Sequence, residues 1–161
     1  MEHATKPLTT TEGVAPFTFS EEALAECRTI IGRYPAGHSK SALIPILHIA
    51  QAENEGWLSV PAMDAVAKLL KIQYIEVYEV ATFYSMFNLH PMGKHVLEVC
   101  HTVPCMLRGA DDVVAHIEKR LGIKPGGTTK DGLFSLKTVE CLGSCGTAPM
   151  LQCGAKYHEH L

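Results

Sequence analysis

The C-terminal half of the chain carries two pairs of closely spaced cysteines, and this arrangement constrains the fold more than any other feature. Cys100 and Cys105 lie in the segment CHTVPC, and Cys141 and Cys145 lie in CLGSC. Residues 106–140 separate the two pairs, an interval that a strand-helix-strand unit fits. A fold that brings the pairs together would therefore place four sulfur atoms around one metal centre.

The spacing of the pairs suits an iron–sulfur cluster. A two-iron cluster takes four thiolates, so each pair could serve one iron. Gly143 and Gly146 flank Cys145 and would let backbone N–H groups approach the sulfur atoms. We also expect a helix to start after Cys105 and to direct its positive end toward the same loop. A structural zinc site, disulfides and free thiols remain alternatives, although no zinc knuckle or ribbon signature accompanies the pairs.

Composition excludes several classes of protein. The 161 residues are 47% hydrophobic, enough for a core, and the net charge of −3 with no run of basic residues argues against nucleic-acid or anionic-lipid partners. Charged residues interrupt the longest apolar region, so no membrane span is predicted. The first 15 residues lack the pattern of a secretory signal or a transit peptide, which predicts a cytosolic or already processed chain. In that setting, six cysteines favour metal ligation or redox chemistry over disulfides.

Helical periodicity marks the N-terminal half. Apolar residues recur every three or four positions in four segments, which predicts helices over about 20–34, 41–54, 59–70 and 74–87. Ser20 and Ser59 stand where N-caps are expected, and Pro61 falls in the first turn of the third helix. The four segments together predict a four-helix module.

A different pattern follows residues 88–93, which contain both strong helix breakers. Strands are predicted over 95–100, 133–139 and 149–152, and a helix over 108–121. We therefore predict an α+β protein with a flexible segment 1–17, a helical bundle module 18–90 and a small α+β domain 91–161. The paired cysteines are expected on loops that leave the ends of strands.

Several segments resemble one known family. CHTVPCMLRGADDV, LGIKPGGTTKDGLFSL and VECLGSCGTAPM are similar to the E subunit of respiratory complex I, the NADH:quinone oxidoreductase, which is the 24 kDa subunit in mitochondria. KSALIPILHIAQAENEGW, AMDAVAKLL and EVYEVATFYSMFN are similar to the N-terminal module of that family, so the resemblance covers about residues 18–158. The resemblance implies a thioredoxin-like [2Fe-2S] ferredoxin domain after the helical bundle. It also implies one [2Fe-2S] cluster bound by Cys100, Cys105, Cys141 and Cys145.

The same resemblance implies a role in electron transfer. The chain would dock on the NADH-oxidising flavoprotein subunit and exchange one electron with its FMN, and it would contact the large iron-sulfur subunit. NADH and FMN would bind to the partner, so this chain would have no catalytic residues or substrate site. The complex would hold it as a peripheral subunit at the cytoplasmic face of the bacterial inner membrane, or on the matrix side in mitochondria.

Two alternative functions accompany this prediction. Related chains serve as diaphorase subunits of NAD-reducing hydrogenases and NAD-dependent formate dehydrogenases. A zinc-stabilised interaction module without a redox role is the alternative from a different class. The metal content of the purified chain distinguishes the zinc protein from the iron–sulfur protein.

The other possible ligands are expected to have no role in the cluster. Cys27 falls on the inward face of the first helix, where a free cysteine acts as a small apolar core residue. Cys153 is a fifth thiol near the second pair, but four thiolates already complete a two-iron cluster. Four cysteines also make histidine ligands unnecessary at His90, His95 and His101. His158 and His160 could bind a metal by alternation on a strand, but we expect these terminal residues to be solvated.

Overall fold

The computed structural model describes residues 14–161, and the chain divides into two compact units between Pro91 and Met92. The predicted flexible segment 1–17 lies largely outside the described residues. In its described part, Phe17 packs against the core of the helical unit. Its ring meets the ring of Phe19 edge-on, with the centroids 5.0 Å apart.

Within residues 14–91, the first unit contains the four α-helices that the sequence predicts. They are α1 (Glu21–Ile31), α2 (Leu43–Glu53), α3 (Val60–Leu70) and α4 (Tyr74–Phe83). Both predicted N-caps are confirmed. The Ser20 hydroxyl accepts a hydrogen bond from the Ala23 N–H at 3.1 Å, and the Ser59 hydroxyl accepts one from the Ala62 N–H at 3.3 Å.

The helix ends differ from the prediction where the chain must turn. A 3₁₀ turn over Ser39–Ala42 precedes α2, so Pro45 lies in the first turn of this helix. The N–H groups of a first turn have no partner within the helix, so a proline there costs no hydrogen bond. The fourth helix ends at Phe83 and not at Phe87, because Tyr84 adopts an extended backbone. That turn lets Phe87 enter the core, where it is 5% exposed.

The core of the helical unit is continuous across all four helices. Its largest fully buried side chains are aliphatic or thioether groups, namely Ile46, Leu47, Leu58, Met63, Val66, Leu70 and Val77. Short helices of about 11 residues are marginal by themselves, so this shared burial is what stabilises them. In the part of the chain that the structure describes, no helix is both long enough and apolar enough to cross a membrane.

The second unit is a four-stranded sheet with helices between its first two strands. The strands are β1 (His95–Cys100), β2 (Phe134–Val139), β3 (Leu151–Cys153) and β4 (Lys156–His158), in the spatial order β2-β1-β3-β4. The β1–β2 pair is parallel, and the β1–β3 and β3–β4 pairs are antiparallel. The predicted α+β class is confirmed.

Two short helical segments connect β1 to β2. They are α5 (Val103–Leu107) and α6 (Ala110–Leu121), whereas the sequence predicts one helix over 108–121. Gly109 separates them at φ 101°, a left-handed conformation that residues with a side chain rarely adopt. Helix α6 covers one face of the sheet, and its apolar residues pack on those of the strands: Val113, Val114 and Ile117 on Val99, Leu136 and Leu151.

Candidate metal centre

The parallel pairing of β1 and β2 brings the two cysteine pairs to one edge of the sheet. Cys100 is the last residue of β1 and lies opposite Val139, the last residue of β2. The His101 N–H continues the ladder by donating to the Val139 carbonyl at 2.9 Å. Because parallel strands end at the same edge, Cys100 and Cys141, which follows β2 by two residues, lie at that edge together.

The four cysteines differ in their local structure and exposure. Cys100 and Cys105 are buried, whereas Cys141 and Cys145 are exposed. Cys141 lies in a loop after β2, and Cys145 begins a 3₁₀ turn that ends at Thr147. The prediction that all four lie on loops at strand ends is wrong for Cys105, which is inside α5.

The predicted helix after Cys105 is confirmed as α6, although a second helix that the sequence does not predict comes before it. Helix α5 begins at Val103, two residues before this cysteine, because Pro104 is accepted in a first helical turn. The next helix begins only at Ala110. The helix start that lies next to the first cysteine pair in the chain is therefore that of α5.

The four sulfur atoms interact with one another across the two pairs. The Cys105 thiol lies beside that of Cys100, and it is close enough to Cys145 for the charge of that sulfur to affect its ionisation. The Cys145 thiol likewise lies beside that of Cys141, and the charge of Cys100 affects its ionisation. All four are free thiols. The structure thus brings together the four residues that the sequence predicts as cluster ligands.

The pKa values of these thiols reflect burial and mutual repulsion. Burial, followed by the hydrogen bond and charge of Cys100, raises the pKa of Cys105 to about 11. Desolvation and the neighbouring Cys141 raise the pKa of Cys145. Burial also acts to raise the pKa of Cys100, but hydrogen bonds from Thr102, Leu142 and Cys105 outweigh it and lower this pKa overall. These thiols therefore resist being ionised at the same time unless a positive charge binds between them.

Polar groups of the surrounding backbone point at the sulfur atoms. The Gly143 N–H donates to the Cys141 sulfur at 3.4 Å, and the Thr102 hydroxyl lies 3.5 Å from the Cys100 sulfur. Backbone hydrogen bonds also reach Cys100 at Leu142 and Cys105 at Met150. Gly143 has φ 79°, a backbone conformation that favours glycine, where this N–H turns toward the sulfur. The expected approach at Gly143 is confirmed, and that at Gly146 stays a prediction.

The donor set fits a [2Fe-2S] cluster. Four soft sulfur ligands in two pairs, with N–H and hydroxyl groups directed at them, match the thiolate ligands and charge stabilisation that such clusters require. Within residues 14–161, no group of three or more His, Cys, Asp or Glu side chains is placed to hold one metal ion. A two-iron cluster is a separate case, because each iron takes only two protein thiolates.

The remaining thiols lie elsewhere. Cys27 is fully buried in the core of the helical unit, as the sequence predicts, and burial raises its pKa. Cys153 lies in β3 opposite Leu97 and is partly buried with the apolar residues under α6. Two of the histidines have other partners: the His101 ring bonds the Asp111 carboxylate at 2.6 Å, and the His95 ring lies 5.4 Å from that of Phe134.

Sequence reasoning missed the side chains that support the second pair. Ser144 and Thr147 bond the carboxylate of Glu159, and Tyr157 bonds the carbonyl of Leu142. Hydroxyl residues beside a cysteine are a local signal from which the first two could have been found. Tyr157 and Glu159 lie in and directly after β4, a strand that the sequence does not predict.

Comparison with known proteins gives a consistent result for most of the chain. The profile of thioredoxin-like [2Fe-2S] ferredoxins matches residues 27–161. The E subunit of the NADH-quinone oxidoreductase of Rickettsia typhi is 48% identical over 145 residues, which are 90% of this chain and 85% of that protein. The protein of the same name from Rickettsia bellii is 47% identical over 148 residues, with 92% and 89% covered.

Solved structures show the same fold at lower sequence identity. A chain of an NAD+-reducing [NiFe]-hydrogenase, in the H2-reduced state, matches with a TM-score of 0.64 and 21% identity over 74% of this chain. The air-oxidised state gives a TM-score of 0.63. The present chain spans only 20% of that longer hydrogenase chain, so this likeness concerns the fold.

Proposed function

The chain belongs to the family of NADH-quinone oxidoreductase E subunits, which are thioredoxin-like [2Fe-2S] ferredoxins, and we propose that it is an electron-transfer subunit of such an oxidoreductase. Its cofactor is a [2Fe-2S] cluster. The observation that carries the proposal is the meeting of four free cysteines at one edge of the sheet.

We propose that Cys100 and Cys105 hold one iron and that Cys141 and Cys145 hold the other. When bound, the cluster supplies reversible one-electron transfer. The chain's own residues provide the environment for it. The buried pair keeps water away from one side, while the Gly143 N–H and the Thr102 hydroxyl stabilise negative charge on the sulfur atoms. The exposed pair leaves the other side open for electron exchange with a partner.

We propose that the partner is the flavoprotein subunit that oxidises NADH. FMN and NADH then bind there, and this chain contributes no catalytic residue of its own. A further contact with the large iron-sulfur subunit would make it a peripheral member of the complex, on the cytoplasmic face of the bacterial inner membrane or on the matrix side in mitochondria. We also propose that the helical unit and the sheet unit are the two domains of the chain, with their boundary near residue 90.

Reduction by NADH in the presence of the flavoprotein tests this function. The purified chain is expected to be brown, with about two irons and two sulfides, and to give a paramagnetic signal only after reduction. When the chain is mixed with its flavoprotein partner, we expect NADH to reduce the cluster. When NADH is added without that partner, the cluster should stay oxidised. A colourless protein that contains zinc would refute the proposal, because zinc carries no electron.

Helix α5 offers the apolar surface nearest to the cluster ligands. Leu107 is 82% exposed, and Val103 and Met106 on the same helix are also exposed, although Cys105 between them is buried. Exposed apolar side chains that surround a redox site are what a docked partner would cover. We therefore place the flavoprotein contact on α5.

A charged residue at this contact is expected to weaken assembly and leave the cluster intact. Leu107→Lys puts a cation into the proposed interface, so co-purification with the flavoprotein should fall at least about tenfold, by roughly 1.4 kcal/mol or more. Leu133→Lys is the matched control: Leu133 is 43% exposed and precedes β2, about 20 Å from the cysteine end of that strand. Equal retention of partner by both variants would place the contact elsewhere.

A further inference from the structure

Residues 157–161, which begin within β4, lie along the loop that carries the second cysteine pair. Three backbone or hydroxyl groups of residues 157–161 bond this region. The Tyr157 hydroxyl donates to the Leu142 carbonyl at 2.8 Å, and the His160 N–H donates to the Thr147 carbonyl at 2.9 Å. The Leu161 N–H donates to the Pro149 carbonyl at 3.1 Å. These bonds hold the loop near its beginning at Leu142, at its end at Thr147 and just beyond it at Pro149.

Glu159 adds a charged contact at the centre of the same loop. One oxygen of its carboxylate accepts hydrogen bonds from the Ser144 hydroxyl and from the Thr147 hydroxyl, the latter at 2.5 Å. The two hydroxyl oxygens are also 2.8 Å apart. The hydroxyls of Ser144 and Thr147 hold the pKa of Glu159 below its ordinary value, so this carboxylate is ionised at neutral pH. Hydrogen bonds to an ionised group are about twice as strong as neutral ones.

The loop needs such support because it has little structure of its own. Residues 141–147 contain two glycines, and their regular structure is one 3₁₀ turn at Cys145–Thr147. Both of its cysteines are exposed, so burial does not fix their side chains. Ordering one such residue costs about 1–2 kcal/mol of conformational entropy. A loop already held by residues 157–161 avoids this cost when it binds a ligand.

We propose that residues 157–161 act as a brace for the ligand loop, and that Glu159 is a positioning residue that holds Cys141 and Cys145 ready to bind the cluster. This inference rests on the proposed function, since it takes these two cysteines as cluster ligands. The carboxylate also places a fixed negative charge beside the site. A negative charge near a cluster disfavours an added electron and so lowers the reduction potential.

Two substitutions of Glu159 separate its hydrogen bonds from its charge. Glu159→Ala removes both, and we expect it to lose the cluster to an excess of iron chelator about tenfold faster than the wild type. Glu159→Gln keeps an oxygen that accepts both hydroxyls but removes the charge. It should lose the cluster at close to the wild-type rate, while its reduction potential rises. Bleaching of the visible absorbance gives the rate, and a redox titration gives the potential.

A second position and a control complete the experiment. Thr147→Val removes one hydroxyl and keeps the carboxylate, so its rate of cluster loss should lie between those of the wild type and Glu159→Ala. Glu118→Ala breaks a surface ion pair with Lys124 in the same unit and should leave rate and potential unchanged. If Glu159→Ala folds but never takes up a cluster, the brace is supported in its strongest form.

The outcomes also separate the two proposals. A wild-type chain that holds no iron would overturn the proposed function, and the brace with it. If the wild type holds the cluster but Glu159→Ala and Thr147→Val lose it no faster, the brace alone is refuted. If the reduction potential of Glu159→Gln equals that of the wild type, the electrostatic effect of Glu159 is refuted. The rates of cluster loss then decide whether Glu159 positions the loop.

Discussion

Replacing both Cys141 and Cys145 with serine is expected to give a colourless protein. The double change removes the two thiolates that we assign to one iron, and a hydroxyl is a much weaker ligand for iron than a thiolate. Iron and sulfide should fall from about two each per chain to near zero, and the paramagnetic signal of the reduced protein should disappear. Both side chains are exposed, so the apoprotein should keep its far-ultraviolet circular dichroism spectrum.

Cys153→Ser is the matched control for this experiment. It also removes a thiol from the sheet unit, but Cys153 lies in β3 among the apolar residues under α6. We expect this variant to keep the full iron and sulfide content. Loss of iron from Cys153→Ser, or two irons retained after the double change, would contradict the assignment of ligands. Iron replaced by zinc in the wild type would favour the structural zinc site instead.

The sequence predicts those parts of the fold that depend on local signals. The helix starts at Ser20 and Ser59 follow from single residues, because a serine hydroxyl can satisfy a free N–H of the first turn wherever the helix packs. Strand β1 is predicted at its observed bounds, because the β-branched and apolar residues among 95–100 follow directly after the breakers of residues 88–93. These elements can therefore be predicted without knowing their tertiary contacts.

Two elements could not be predicted because they are short and carry no apolar periodicity. Helix α5 has five residues, too few for helical periodicity to be recognised. Strand β4 has three exposed residues with no apolar alternation, and it exists through pairing with β3 and through the bond of Tyr157 to Leu142. Both missed elements contact the cysteines or their loop, so the site is harder to predict than the core.

The cysteine pairs themselves are an exception within the site. Their spacing identifies the residues, and the parallel pairing of β1 with β2 explains why the pairs meet. The detailed environment does not follow from spacing. The structure provides individual bonds from Gly143 and Thr102 to sulfur atoms, and a bond from Tyr157 to the loop. Electrostatic support of a site depends on the fold around it and is poorly encoded by local sequence.

Removing a core side chain from α2 is expected to destabilise the helical unit strongly. Leu47 is fully buried in the cluster shared by the four helices. Leu47→Ala removes apolar contacts and leaves a cavity, which costs about 2–5 kcal/mol. Small domains have a free energy of unfolding of only about 5–15 kcal/mol, so this is a large fraction of it. The fluorescence of Trp57, the single tryptophan, reports unfolding of this unit in denaturant.

Ile44 on the same helix provides the control. It is 36% exposed, so truncation to alanine removes fewer contacts and leaves no closed cavity. We expect a cost below about 1 kcal/mol for Ile44→Ala, with the same dependence of free energy on denaturant as in the wild type. Equal costs for the two substitutions would mean that packing within the four-helix core is not what stabilises this unit. A larger cost for Leu47→Ala would show that burial in this core, which no single short helix could provide alone, makes the module fold.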